Sequence, residues 1–187
     1  MDHAQQLAFF ANILEQKHLV TALEGNASVI DRETGLTYIT PSGRMKLLLT
    51  KEDISVMDAH GMQLGGRGRR SSEYLLHEAV YRARPDVNAI IHCHCPYLTA
   101  YALRYQDFIV PEDCSLHAVF QRFVCLPYGQ NGTHEIHRGI DAALAHSPVC
   151  LLGGHGVVCA AASMESCIGL LEAAEGLAKT VFLANRL

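Results

Sequence analysis

The sequence contains no tryptophan, and aromatic residues together make up only 7% of its 187 positions. It has no apolar run of the roughly 18 to 20 residues that a membrane-spanning helix needs. It has no basic excess either: 15 Lys and Arg stand against 19 Asp and Glu, a net charge of −4, which is the wrong sign for a nucleic-acid-binding domain. No Gly-x-Gly-x-x-Gly follows a strand pattern and no Walker-type loop is present, so dinucleotide and nucleoside-triphosphate chemistry lack their phosphate cradles. Internal repeats, low-complexity tracts and long linkers are missing as well. The longest polar, Gly-rich stretch, residues 61–72, is too short to separate domains, and a single domain over 1–187 is expected. The first six residues are polar and include Asp2, unlike a secretory signal, so the cytoplasm is the expected compartment.

Apolar residues account for 49% of the chain and charged residues for 18%, enough to build one substantial core. Seven cysteines, an odd number, sit mostly among apolar residues and read as buried reduced thiols. Eleven histidines are present, two of them at positions 92 and 94.

The apolar periodicity predicts a helix over Asp2 to Leu19, where Leu7, Phe10, Ile13 and Leu14 recur at helical spacing. Short strands are predicted over 27–31, 36–39, 54–57, 87–94, 123–126, 149–152 and 157–160. Ser72 is expected to cap a helix over 73–84 that Pro85 ends, and Thr133 a helix over 135–145. Pro96 opens a helix to Leu103, and Ser163 caps a last helix reaching the C-terminus. Helices and strands interleave, but many strand-to-strand links are too short for a parallel crossover. A mixed, largely antiparallel sheet covered by helices is therefore expected.

If the strand ending at His92-Cys93-His94 keeps its alternation, both imidazoles face one side and Cys93 and Cys95 the other. Two imidazoles at i and i+2 can share a metal. His155, flanked by Gly153, Gly154 and Gly156, is the natural third ligand, because the glycines let the backbone turn it inward. Three neutral imidazoles with an open fourth position form a catalytic zinc arrangement, though manganese or cobalt also suits such donors. Core or surface histidines, and a structural site using Cys93 or Cys95, are the competing readings. Ser71-Ser72-Glu73 places two hydroxyls at a helix start, where free amides bind anions. Glu73 there is either a general base facing the metal or an ordinary partner of the helix dipole. Asn26 with Ser28, and Thr40-Pro41-Ser42-Gly43, add small polar groups that would complete a phosphate cradle.

Taken in order, Gly25-Asn26-Ala27-Ser28, Thr40-Pro41-Ser42-Gly43, Ser71-Ser72-Glu73, His77 with Arg84-Pro85-Asp86, His92-Cys93-His94, Pro127-Tyr128 and Gly154-His155-Gly156 resemble the class II aldolase/adducin family over nearly the whole chain. The Ser-Ser-Glu helix start is most similar to its L-fuculose phosphate aldolase branch. Other branches epimerise, dehydrate or decarboxylate sugar phosphates or sugar acid phosphates, and adducins are non-catalytic. The resemblance implies a three-layer α-β-α fold of the α/β class, a central mostly antiparallel mixed sheet flanked by helices, and a homotetramer. It implies one Zn2+ per chain on His92, His94 and His155, and Glu73 as acid/base. Asn26, Ser42, Gly43, Ser71 and Ser72 are then the phosphate-binding positions. The implied reaction cleaves a ketose 1-phosphate to dihydroxyacetone phosphate and an aldehyde through a metal-stabilised enediolate. The partner is thus a small sugar phosphate, with no nucleic acid and no membrane. Fuculose phosphate aldolases protonate the aldehyde oxygen with a tyrosine past mid-chain and carry another in a C-terminal tail. Here the first region reads Val110-Pro111-Glu112-Asp113-Cys114 and the sequence runs to Leu187, so Asp113, or Glu112 beside it, is the residue expected to take that role.

Overall fold

The structure, a computed structural model, describes residues 2–187. Asp2 caps the first helix, α1 (His3–Gln16), by accepting a hydrogen bond from the Gln5 amide at 2.7 Å. Its stripe of Leu7, Phe10, Ala11 and Leu14 is buried, the pattern that period 3.6 imposes on an amphipathic helix. The chain then lays down β1 (Asn26–Ile30), β2 (Thr37–Ile39), β3 (Ser55–Met57) and β4 (Gln63–Gly65) as an antiparallel run. Helix α2 (Tyr74–Ala83) follows, then β5 (Ala89–Cys93) and α3 (Pro96–Leu103). Short strands β6 (Phe108–Ile109) and β7 (Arg122–Phe123) pair with each other, and β8 (Cys125–Leu126) joins the main sheet. Helix α4 (Ile140–Ala143), β9 (Val149–Leu152), β10 (Gly156–Ala161) and α5 (Met164–Ala184) complete the order.

The main sheet has eight strands in the order β4-β3-β2-β1-β5-β10-β9-β8. Every neighbouring pair is antiparallel except β8 with β9 at the edge. One face carries Ala27, Val29, Ile91, Cys93, Val157 and Cys159 and packs against α1, α3 and α5. The other carries Ile90, Val158 and Ala160 beneath α2 and α4. Those two cores make the three expected layers. No helix among the described residues is long and apolar enough to cross a membrane.

Three expectations need correction. Ser72 is not the cap of α2: Glu73 holds that position, with φ −100° and ψ 17°, and makes no side-chain capping bond. Its carboxylate is instead drawn inward, which removes it from the helix axis. The helix expected over 135–145 shrinks to α4, because Gly139 enters the left-handed region (φ +85°) and interrupts it. The strand expected over 123–126 splits: Arg122 and Phe123 pair with β6, while Cys125 and Leu126 pair with β9.

Candidate metal centre and active site

β5 is the central strand of the site. Cys93 falls on the α5 side, fully buried in the larger core, and His92 on the opposite side, as alternation requires. Cys93 and Cys95 lie Sγ to Sγ at 3.6 Å as free thiols, so the reading that used them as metal ligands does not fit this fold. His155 enters from the turn between β9 and β10. Gly154 in that turn has φ +70°, a conformation open to glycine and strained for other residues. A Cβ on Gly156 would stand 2.5 Å from the Cys93 carbonyl oxygen and 2.6 Å from His94 Cδ2, so only glycine lets β10 come this close to the His92-Cys93-His94 strand.

The three imidazoles form a tight group. Their ring centroids are 4.7 to 5.0 Å apart, and one ring nitrogen from each can be chosen so that all lie within 4.8 Å of one another. His92 Nε2 and His94 Nε2 are 3.2 Å apart, close to the roughly 3.3 Å edge of a tetrahedron built from zinc–nitrogen bonds of about 2.0–2.1 Å. His92 Nδ1 lies 2.9 Å from the Val157 carbonyl oxygen. A carbonyl only accepts, so Nδ1 carries a proton, and Nε2, once it has given up its own, can turn its lone pair to the cluster, the orientation that fixes metal-ligating histidines. The donor set therefore fits a divalent metal.

Glu73 closes the group. Its Oε2 lies 3.1 Å from His92 Nε2 and its Oε1 3.3 Å from His155 Nε2, while Asn26 Nδ2 donates to Oε2 at 2.8 Å. With no metal bound, burial pushes this carboxyl toward its neutral form, but a His92 protonated on both nitrogens, which donates from Nε2 and is charged, together with the charge of His155 and the Asn26 bond, outweighs it and holds the pKa at about 2. His155 is driven down to about 4, first by burial and then by the charge of His92. His77, wholly enclosed one turn along α2, is driven to about 3, again mainly by burial, and stays neutral.

Ser42 and Ser72 meet across the loops: the Ser72 amide donates to Ser42 Oγ at 3.1 Å. Gly43 follows in an exposed turn with φ +65°. Ser71 is buried and accepts from the Glu73 amide at 3.2 Å. The Ser72 and Glu73 amides, just before α2, are thus each held by a serine hydroxyl. Asn26 is buried beside Glu73, opposite His92 in the β1–β5 register. Asp113 and Glu112 lie in an exposed turn, and no hydrogen bond or ion pair among the described residues joins either to the histidines. Two residues at the site carry no mark in the sequence that would single them out. Tyr105, in the left-handed region (φ 54°), would lie within 2.8 Å of a Cβ at Gly153 and 2.5 Å of one at Gly154, so its ring packs over the His155 turn. Asn131 Nδ2 reaches His155 Nε2 at 3.5 Å.

Comparison with known proteins agrees with this geometry. The family model "Class II Aldolase and Adducin N-terminal domain" matches residues 5–182. The 5-methylthioribulose-1-phosphate/5-deoxyribulose-1-phosphate aldolase of Escherichia coli O45:K1 is 32% identical over 176 residues, spanning 88% of this chain and 81% of the relative. The L-fuculose phosphate aldolase of Escherichia coli O6:H1 is 32% identical over 155 residues, spanning 83% of this chain and 71% of the relative. Among solved structures, an L-fuculose 1-phosphate aldolase superposes with a TM-score of 0.91 at 32% identity, over 99% of this chain and 87% of that one.

Proposed function

Because this chain belongs to the class II aldolase and adducin family, and is on that footing a lyase of the class II aldolase type, we propose that it is a zinc-dependent aldolase. Its reaction is the cleavage of a ketose 1-phosphate into dihydroxyacetone phosphate and an aldehyde. The observation that carries the reading is the convergence of His92, His94 and His155 on one small volume with Glu73 against two of them.

His92, His94 and His155 would hold the metal, which when bound supplies Lewis-acid stabilisation of the charge that develops on the substrate's carbonyl oxygen. The protein's own groups do the rest. Glu73, ionised and held by Asn26, takes and returns the proton at the carbon next to the carbonyl. Ser42, Gly43, Ser71 and Ser72 receive the phosphate at the start of α2, where amide dipoles favour an anion. Asn26 has a second amide N–H beyond the one bound to Glu73, available to a phosphate oxygen. Asp113 is assigned to the aldehyde side, outside the histidine cluster of its own chain. Exposed Leu48, Leu103 and Ile109 offer surface for a homotetramer to cover.

Zinc content measured on purified protein, together with an assay of aldol addition of dihydroxyacetone phosphate to a panel of aldehydes, tests this. About one zinc per chain and addition to at least one aldehyde are expected. Metal-loaded protein that adds dihydroxyacetone phosphate to no aldehyde would overturn the aldolase reading.

A further inference from the structure

A line of buried polar side chains runs from Glu73 and Asn26 away from the histidines, and nothing in the proposed reaction uses its members beyond Asn26. Glu73, His77 and Tyr81 are spaced by four along α2 and share one face of the helix. Asn26 and Ser28 are spaced by two along β1 and share one face of the strand. Four helical residues rise about 6 Å and two strand residues about 6.6 Å, so the rows mesh tooth by tooth. Asn26 Nδ2 lies 2.8 Å from Glu73 Oε2, Asn26 Oδ1 contacts His77 Nε2, His77 Nδ1 lies 2.6 Å from Ser28 Oγ, and Ser28 Oγ lies 2.7 Å from the Tyr81 hydroxyl. All five residues are buried.

The carboxylate at one end sets the direction of every bond. An ionised carboxylate only accepts, so Asn26 must turn its NH2 to Glu73 and its carbonyl to His77. His77 must then donate from Nε2, leaving Nδ1 bare. Ser28 must donate to Nδ1 and accept from the Tyr81 hydroxyl. No member can be flipped without leaving two acceptors, or two donors, face to face in a buried site.

We propose that His77 is a positioning residue that acts through Asn26 to hold the Glu73 carboxylate in register for proton transfer. The inference rests on the acid/base role given to Glu73 above. It assigns the Glu73-x3-His77-x3-Tyr81 row of α2 and the Asn26-x-Ser28 pair of β1 to one device, with Tyr81 and Ser28 fixing the His77 tautomer and His77 fixing the Asn26 amide.

Exchange of the carbon-bound hydrogen of dihydroxyacetone phosphate in deuterated water, measured beside metal content, separates the two roles. Glu73→Gln must lose exchange; if it does not, the role of Glu73 has failed and not that of His77. With Glu73→Gln inactive, His77→Leu should lower kcat for exchange roughly ten- to a hundredfold, the usual range for residues that orient a site. Zinc per chain should stay as in the wild type. His77→Gln, whose amide nitrogen reaches the place of Nε2, should recover most of the rate. Wild-type kcat in folded His77→Leu would overturn the proposal. Should His77→Leu not fold, nitrogen-15 resonances of the His77 ring in the unaltered protein decide: a proton on Nε2 is expected, and a proton on Nδ1 would overturn it.

Discussion

His94 leaves 26% of its side chain exposed, against 10% for His155 and none for His92, so it is the imidazole whose removal disturbs packing least. His94→Ala should therefore fold normally and lose its metal, as atomic emission on the purified variant would show; full metal occupancy would contradict a three-histidine site. Glu73→Gln should keep the metal and slow proton exchange by roughly a hundredfold or more, the scale of lost general base catalysis. A third residue-level prediction concerns Lys46, which is 3% exposed and donates from Nζ to the Leu23 carbonyl at 3.0 Å. Burial, only partly opposed by Glu15 and Glu24, lowers its pKa to about 8 from 10.5. Between those values the unfolded chain binds more protons than the folded one, so stability rises with pH across the window. The wild-type thermal midpoint should climb from pH 8 to 10.5 relative to Lys46→Met, and parallel curves for the two proteins would refute it. At this scale the histidine triad was legible, because alternation in a strand and glycines around a lone histidine are local signals. The enclosed position of His77 was not, because nothing in its own neighbourhood shows which strand lies across from it.

At the scale of elements, the critical contact is β10 against β5. Gly156→Ala would place a methyl against the Cys93 carbonyl and His94, at a cost of about 1–3 kcal/mol for overpacking. Both a lower thermal midpoint and weaker metal retention on dialysis are expected; a change in only the first would mean that His94 does not feel the strand spacing. Helices α1, α3 and α5 were readable from apolar spacing and local signals, since Ser163 does cap its helix and Pro96 does open its own, while Asp2, expected inside the first helix, is its cap. Strand β4 was not, because its Gln63, Leu64 and Gly65 sit in a Gly-rich stretch whose strand character comes only from pairing with β3. The split at Val124 has the same origin: one apolar run is divided between two partners distant in sequence.

For the whole molecule, the three histidines that could hold a metal come from the end of β5 and from the β9–β10 turn, so the cluster exists only in the folded state. A metal that binds only that state adds about 2.7 kcal/mol at a hundredfold excess over its Kd. A chelator should accordingly lower the thermal midpoint, and re-addition of zinc should restore it; a midpoint indifferent to both would argue against metal binding in the folded chain. Local chemistry in the sequence by itself determined the Ser163 cap and the Pro96 helix start, the alternation that puts His92 and His94 on one face, and the ordered motifs that mark the family. Tertiary structure alone decided that Glu73 turns inward from its helix, that serine hydroxyls hold the Ser72 and Glu73 amides, and that Asn26 and His77 meet. Those outcomes depend on the β1–β5 register and on how α2 lies over β1, and such distant pairings are set by packing across the sheet, which no window of sequence contains.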